Sequence, residues 1–203
     1  MKLVNLIQGT QEWHDFRATK FTASDAAAML GLSPYKTRVQ LLDEKATGYT
    51  EEVTPVKQAL FDRGHAAEAA ARIILEDDCG YEYFPVTGVS EEWDRMAASL
   101  DGQTFDETQI MEHKLWNEKL AAYIKEHDDL PETHWPQVEH QLSVSGSCLC
   151  SFIVSDGTKE NWLQLDYESK PERMQAVIDG WHQFEADLAN HKPAEKKPPV
   201  IAE

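Results

Sequence analysis

The chain contains few cysteines, few basic residues and no long apolar runs. Its 203 residues include three cysteines, Cys79, Cys148 and Cys150. This odd, sparse count argues against a disulfide framework, and it provides too few thiolates for an iron–sulfur cluster. Buried free thiols are therefore favoured over a zinc site. No apolar run reaches the ~20 residues that span a bilayer, and residues 1–5 become polar too quickly for a secretion signal. We expect a cytoplasmic protein.

Basic residues are strongly outnumbered by acidic ones. The chain has 19 Lys and Arg against 36 Asp and Glu, a formal net charge of −17. Taken alone, this charge argues against a nucleic-acid partner. However, residues 1–42 contain five basic and three acidic residues, so the acidic excess lies in the rest of the chain. A basic concave patch can coexist with an acidic exterior, and a metal site needs acids. Charge therefore excludes neither a nucleic-acid enzyme nor an acidic interaction protein.

The hydrophobic periodicity predicts helices, three strands, more helices, two strands and a last helix. The predicted helices cover residues 22–30, 33–47, 56–78, 117–126, 131–144 and 171–189. The predicted strands cover residues 81–89, 96–100, 108–115, 148–154 and 162–167. This order indicates an α/β (α+β) fold in which helices flank a mixed central sheet. The proline-containing segment 191–203 is expected to be a disordered tail.

Two acids and a lysine lie on neighbouring predicted strands. Asp101 ends one strand, and Glu112 and Lys114 belong to the next. Since side chains alternate along a strand, Glu112 and Lys114 share a face about 6.6 Å apart, and a short hairpin would bring Asp101 beside them. The two carboxylates and the backbone carbonyl of His113 are hard oxygen ligands for Mg²⁺. Such a site can hydrolyse a phosphodiester, with the lysine orienting the attacking water.

The alternative interpretation is that these acids and the lysine form an ordinary solvated strand face. Their apolar neighbours Leu100, Met111 and Leu115 indicate instead that the strands are mostly buried. A buried charge requires a partner or a metal ion, because its transfer from water is unfavourable. The residues alone leave both interpretations open.

Two other pairs of polar residues are candidates for substrate or metal contacts. Arg17 and Ser24 flank a predicted helix start, where a hydroxyl and a guanidinium form a suitable phosphate pocket. Alternatively, Ser24 only caps the helix and Arg17 pairs with an acid. Gln137 and Gln141 lie one turn apart on a helix, where one could contact a metal-bound water or a phosphate; otherwise both are exposed polar residues.

Several motifs match a known family in their order and spacing. They are Trp13–Arg17 with Thr22–Asp25, Gly31–Thr37, Arg63-Gly64 with Glu68, Ser99–Gly102 with Glu112–Lys114, and Pro136–Val138. Over residues 10–185 the chain thus resembles the lambda-type phage exonucleases, also called YqaJ-like viral recombinases, of the PD-(D/E)xK nuclease superfamily. One departure is Leu100, which stands where the superfamily has a proline before the catalytic aspartate.

The resemblance implies a function and a set of partners. It implies a Mg²⁺-dependent 5′→3′ exonuclease, with Mn²⁺ as a substitute ion. Such an enzyme degrades one strand of double-stranded DNA from a 5′-phosphorylated end and leaves a 3′ overhang for recombination. It further implies a ring-shaped homotrimer and a single-strand annealing protein as partner, in a bacterial cell that carries a phage or prophage. An endonuclease of the same superfamily and a non-catalytic acidic DNA mimic remain alternatives.

The resemblance also implies residue roles and a domain organisation. Asp101 and Glu112 bind the metal, Lys114 is the catalytic lysine, and Glu68 and Gln137 support the metal and the nucleophile. The terminal 5′-phosphate is held by Arg17, Ser24 and Ser99. Residues 1–190 are expected to form one nuclease domain with a restriction-endonuclease-like core. Within it, residues 1–50 form the 5′-phosphate pocket and residues 56–190 form the core.

Overall fold

The structure, a computed structural model, describes residues 1–7, 9–48 and 54–193. Within these ranges the strands are β1 (Lys2–Leu3), β2 (Phe21–Thr22), β3 (Tyr83–Val89), β4 (Met96–Thr104), β5 (Gln109–Leu115), β6 (Leu149–Ser155) and β7 (Trp162–Glu168). The α-helices are α1 (Gln11–Ala18), α2 (Ala26–Met29), α3 (Arg38–Thr47), α4 (Pro55–Cys79), α5 (Glu118–His127), α6 (Trp135–Ser145) and α7 (Pro171–Asn190). A 3-10 turn, Ala23–Asp25, precedes α2. Most of the predicted disordered tail, residues 194–203, lies outside the described residues.

The strands form one mixed sheet with helices on both faces. Its order is β1-β3-β4-β5-β6-β7, and β2 pairs with β4. The β5–β6 and β2–β4 pairs are parallel, and the others are antiparallel. Helices α5 and α6 connect the parallel strands β5 and β6, as a crossover between parallel neighbours requires. The predicted α/β (α+β) fold with a mixed, helix-flanked sheet is confirmed.

The two faces of the sheet pack against different helices. On one face, Trp181 and Phe184 of α7 pack with Phe21 in the larger core, which also contains Val138 of α6. On the other face, Ala71 and Leu75 of α4 pack with Met111 and Ile153 of the sheet. Successive residues of β5 therefore enter opposite cores, as the alternation of a strand requires.

The spacing of Leu60, Gly64, Ala67, Ala71 and Leu75 predicts one apolar stripe along α4, and the structure buries only part of it. Ala67, Ala71 and Leu75 are buried, but Leu60 is 54% exposed. The small residues do admit a close neighbour, because a Cβ atom on Gly157 would lie 3.0 Å from that of Ala70. The first turns of α4 thus extend beyond the sheet, and its second half covers it.

The structure bears on the prediction of buried free thiols and on the prediction that no segment spans a membrane. All three cysteines are free; Cys150 is buried as predicted. The prediction of burial is wrong for Cys148, which precedes β6 and is exposed together with Cys79. Among the described residues, no helix combines the length and apolarity needed to cross a membrane.

A buried histidine connects α6, α7 and β4. The indole Nε1 of Trp181 donates to Nδ1 of His140 at 2.9 Å, and Nε2 of His140 lies 3.0 Å from the carbonyl oxygen of Ala97. An indole can only donate and a carbonyl can only accept, so the imidazole is neutral with its proton on Nε2. Burial lowers the pKa of His140 to about 4.

We therefore expect the protein to lose stability as the pH falls from 6.5 to 4. The unfolded chain takes up a proton at His140 near pH 6.5, whereas the folded chain resists it down to about pH 4. This difference contributes a loss of about 3 kcal/mol in the free energy of unfolding over that range. Urea denaturation at stepped pH measures it. In His140→Gln, which keeps a donor and an acceptor but does not titrate, the decline should be smaller by this amount; an equal decline would contradict the assignment.

Candidate active site

Asp101 lies at an irregularity in β4. Tyr83 and Phe84 of β3 pair with Thr104 and Gln103, but Val86 pairs with Leu100, so β4 has one extra residue at this point. This β-bulge contains Asp101 and Gly102. A bulge bends a strand and redirects its side chains, and glycine within a strand often marks one. The predicted strand ended at Leu100; the real strand continues through the bulge to Thr104.

The bulge also requires a glycine immediately after Asp101. A Cβ atom on Gly102 would lie 2.7 Å from the Cβ atom of Tyr83, which is too close for two carbon atoms. The regular β4–β5 pairing reaches the Gly102–Met111 pair. Beyond it, the carboxylate of Asp101 accepts the backbone N–H of His113 at 2.8 Å. Asp101 thereby replaces a main-chain partner and is fixed beside β5.

Glu112 is a buried carboxylate that accepts three side-chain hydrogen bonds. It is 3% exposed. Lys114 donates to its Oε1 at 2.6 Å and Gln137 to the same oxygen at 2.7 Å, while Gln141 donates to Oε2 at 2.6 Å. Lys114 also donates to Oε1 of Gln137 at 2.9 Å. The predicted shared face of Glu112 and Lys114 is observed, and both glutamines approach it from α6.

Glu68 approaches Glu112 from α4, which packs on the face of the sheet opposite to α6. Burial raises the pKa of Glu68. The positive charges of Arg72 and His65 oppose this shift, whereas the negative charge of Glu112 adds to it. Arg72 donates to Glu68 at 3.1 Å. The pKa of Asp101 is raised well above its usual value by burial, then by the negative charges of Glu112 and Glu68. The three carboxylates are therefore close enough to disfavour one another's ionisation.

Lys114 is the cation that accompanies these acids. Burial alone would lower its pKa, but Glu112 and then Asp101 outweigh that effect and raise it. Its side chain remains 29% exposed, and its bonds to Glu112 and Gln137 use two of the three ammonium donors. It can therefore donate to a water or a phosphate oxygen that enters the site.

The donor set fits a divalent cation. Glu68, Asp101 and the buried Glu112 place three carboxylates near one ammonium group. After burial, the negative charges of the two glutamates are the largest causes of the raised pKa of Asp101. Oε1 of Gln141, in the same cluster, is buried without a hydrogen-bond partner in the described part of the chain. Within that part, no group of three or more His, Cys, Asp or Glu side chains is arranged so that it could hold a metal ion. Mg²⁺ needs no such group, because it is usually held by one or two carboxylates and several waters.

A cavity of about 570 Å³ lies between α1, the 3-10 turn, α3 and α4; we call it the N-terminal cavity. Arg17 and Ser24 both line it, and the Arg17 guanidinium donates to the Ser24 hydroxyl at 2.6 Å. The guanidinium also lies 4.4 Å from the ring centroid of Trp13. Burial lowers the pKa of Arg17, and Asp25 opposes that shift. Ser24 therefore contacts the arginine. The alternative prediction, in which Ser24 only caps a helix, is not what the structure shows.

Ser99 connects the N-terminal cavity to the strand that contains Asp101. Its hydroxyl accepts the indole N–H of Trp13 at 3.0 Å and lies 3.1 Å from the hydroxyl of Thr87. A second cavity, of about 370 Å³, is lined by Thr87, Glu68 and His65, and His65 lines the N-terminal cavity as well. The residues predicted to hold a phosphate therefore adjoin the predicted catalytic acids.

A family model matches the sequence of this chain. The description of the matching family is YqaJ-like viral recombinase domain, and the match spans residues 12–148, more than half of the chain. The chain belongs to the YqaJ-like viral recombinase family. The resemblance stated from the sequence motifs is thereby confirmed. A search of curated proteins finds no match.

Solved structures share the fold of this YqaJ-like chain. The alkaline exonuclease LHK-Exo from Laribacter hongkongensis aligns with a TM-score of 0.73 and 22% identity, over 89% of this chain and 93% of that one. Its complex with dAMP aligns with the same TM-score and 21% identity, over the same shares of the two chains. A phage-related exonuclease from Haemophilus somnus 129PT gives 0.59 and 12% identity, over 84% of this chain and 95% of that one. At these identities the likeness concerns the fold.

Two contacts of this YqaJ-like site go beyond what the sequence predicted. Gln141 shares Glu112 with Gln137, although the resemblance pointed to Gln137 alone. Their four-residue spacing was the available signal, because it places both amides on one helix face. Trp13 connects Arg17 to Ser99, a contact between residues 86 positions apart. No local pattern could have indicated it.

Proposed function

We propose that this protein is a Mg²⁺-dependent 5′→3′ exonuclease that degrades one strand of linear double-stranded DNA and leaves a 3′ overhang. The observation that carries the proposal is the cluster of Asp101, the buried Glu112 and Lys114 beside a cavity that contains Arg17. Acids for a metal, an ammonium group and a phosphate-binding guanidinium are the components needed for phosphodiester hydrolysis at a strand end.

Each group of the cluster has a part in this reaction. Asp101, Glu112 and the carbonyl of His113 would hold the ion, with Glu68 beside them. The ion supplies a Lewis acid and a water of lowered pKa. Lys114 orients the attacking water and offsets the charge that develops on the phosphoryl oxygens. Gln137 holds both Glu112 and Lys114, which fixes their separation.

The N-terminal cavity supports the proposed preference for a 5′-phosphorylated end. A terminal phosphate carries more negative charge than an internal phosphodiester, so it gains most from the Arg17 guanidinium and the hydroxyls of Ser24 and Ser99. Lys36 and Lys45 lie nearby, but both are already paired with Asp25. Arg17 is therefore the cation we assign to the phosphate.

The family membership supports further parts of the proposal. We propose that the protein acts as a homotrimeric ring in a bacterial host cell, from a phage or prophage gene. Its overhang would be the substrate of a single-strand annealing protein in recombination. Mn²⁺ would substitute for Mg²⁺, because both are hard cations that accept carboxylate and water ligands.

Digestion of end-labelled linear duplex tests this function. We expect Mg²⁺-dependent release of mononucleotides from 5′-phosphorylated ends at a rate at least tenfold above that from 5′-hydroxyl ends. Chelation of the metal should stop the reaction. A covalently closed circular duplex serves as the control, since it has no end. Cleavage of the circle would indicate an endonuclease, and no cleavage of any DNA together with no metal binding by calorimetry would favour an acidic DNA mimic.

A further inference from the structure

His134 faces the same side of α6 as the two glutamines that hold Glu112. It directly precedes the helix, and its carbonyl accepts the N–H of Gln137 at 3.1 Å, so the first turn already includes it. Residues 134, 137 and 141 are spaced by three and four positions, which aligns their side chains along one face. Gln137 and Gln141 both donate to Glu112. His134 is therefore the next side chain along the face that borders the cluster.

The imidazole of His134 is held beside the strand that neighbours Glu112. Its ring stands edge-on to Phe152, with centroids 5.9 Å apart and an interplanar angle of 90°. Phe152 pairs in register with Glu112 across the parallel β5–β6 ladder. In-register residues of neighbouring strands share a face, so the ring lies over the face that bears Glu112 and Lys114.

The surroundings keep this imidazole neutral and orient it. Burial, followed by the positive charge of Lys114, lowers the pKa of His134 to about 4. Its Nδ1 lies 2.7 Å from the hydroxyl of Thr133. Among the residues that the structure describes, none hydrogen-bonds to Nε2. A neutral imidazole has one donor and one acceptor nitrogen; when the Thr133 hydroxyl donates to Nδ1, Nε2–H is a free donor.

We propose that His134 binds the substrate, donating a hydrogen bond from Nε2–H to a non-bridging oxygen of the scissile phosphodiester. This inference rests on the proposed nuclease function and adds a residue to it. A donor placed beside Lys114 gains from being uncharged, because a second full cation there would be repelled. A neutral donor still stabilises the negative charge that grows on the phosphoryl oxygens during attack.

A phosphorothioate experiment tests this contact. The substrate is a 5′-phosphorylated duplex in which sulfur replaces one non-bridging oxygen of the first linkage, prepared as separate diastereomers. Sulfur is a poor hydrogen-bond acceptor, so the oxygen-to-sulfur rate ratio reports a bond to that atom. We expect His134→Ala to lower kcat on the ordinary substrate by about 100-fold, with little change in KM. For one diastereomer, the oxygen-to-sulfur rate ratio should be about tenfold smaller in His134→Ala than in the wild type. The variant lacks the donor whose hydrogen bond sulfur would otherwise weaken.

Two further variants complete the design. His134→Gln retains a donor and should recover part of the rate and of the sulfur discrimination, which a merely structural role would not explain. His127→Ala removes an exposed histidine of α5 whose contacts are with Tyr123, and it should match the wild type. Unchanged kcat in His134→Ala, or a slower variant with the wild-type rate ratios for both diastereomers, would overturn the inference. A wild-type protein that digests no DNA would instead refute the underlying function.

Discussion

Lys114→Ala should reduce digestion of linear duplex DNA by about 10³-fold at saturating Mg²⁺. The substitution removes the ammonium group that lies 2.6 Å from Glu112 and 2.9 Å from Gln137. Without it, no cation of the described residues takes its position to orient the attacking water or offset charge on the phosphoryl group. The rate measured under single-turnover conditions reports this loss directly, since product release does not limit it.

Controls separate chemistry from folding in this experiment. Lys125→Ala removes an exposed lysine from α5 and should leave the rate unchanged. Glu112→Gln is a companion variant. It keeps the side-chain volume and one oxygen that can accept the hydrogen bond from Gln141, and it should be as inactive as Lys114→Ala. Circular dichroism and thermal unfolding show whether each variant folds. Folded Lys114→Ala and Glu112→Gln proteins that both retain Mg²⁺-dependent digestion would refute the catalytic assignment.

Arg17→Ala should abolish the preference for a 5′-phosphorylated end. The guanidinium is positioned by Ser24 at 2.6 Å and by the ring of Trp13 at 4.4 Å, so it is held in place before DNA arrives. Loss of a charge-assisted hydrogen bond to a phosphate costs about 1.5–3 kcal/mol, or roughly 10- to 100-fold in kcat/KM. The reduction should appear on the 5′-phosphorylated duplex, while the 5′-hydroxyl duplex is digested at its wild-type rate.

Graded substitutions sharpen this second prediction. Arg17→Lys keeps the charge but loses the planar pair of donors, so it should recover only part of the preference. Ser24→Ala removes one hydroxyl contact and should have a smaller effect than Arg17→Ala. Lys119→Ala, on the exposed surface of α5, is the matched control. An Arg17→Ala variant that still discriminates phosphate from hydroxyl ends as the wild type does would place the phosphate elsewhere.

The sequence predicted the order of most elements because their apolar periods are regular. The observed bounds of helix α7 and of the paired strands β6 and β7 all lie within one residue of the predicted bounds. Helix α1 was missed because it buries none of its residues, and so has no apolar stripe. Helix α3 was predicted to start at Ser33, but Thr37 and Gln40 form a capping box and the helix begins at Arg38.

The candidate site was predictable where its residues are close in sequence. Glu112 and Lys114 share a face because strand alternation dictates it, and Gln137 and Gln141 because helix periodicity does. The approach of Asp101 to Glu112 was predicted from a short hairpin between their strands, but its geometry depends on the β4 bulge, which involves the distant strand β3. Glu68 reaches the site through the packing of α4, and its place there followed only from the family resemblance.

The extra residue in β4 sets Asp101 apart from the regular alternation of that strand. Leu100 pairs with Val86 and Gln103 with Phe84, so Leu100 and Gln103 lie on one face of the sheet although they are three positions apart. Removing one residue between them would restore regular alternation and keep Gln103 on its face, but the bulge that places Asp101 against the backbone N–H of His113 would be lost. Point substitutions leave this count intact, whereas a single-codon deletion does not. Evolution of this strand can therefore proceed by exchange of residues far more readily than by loss of one.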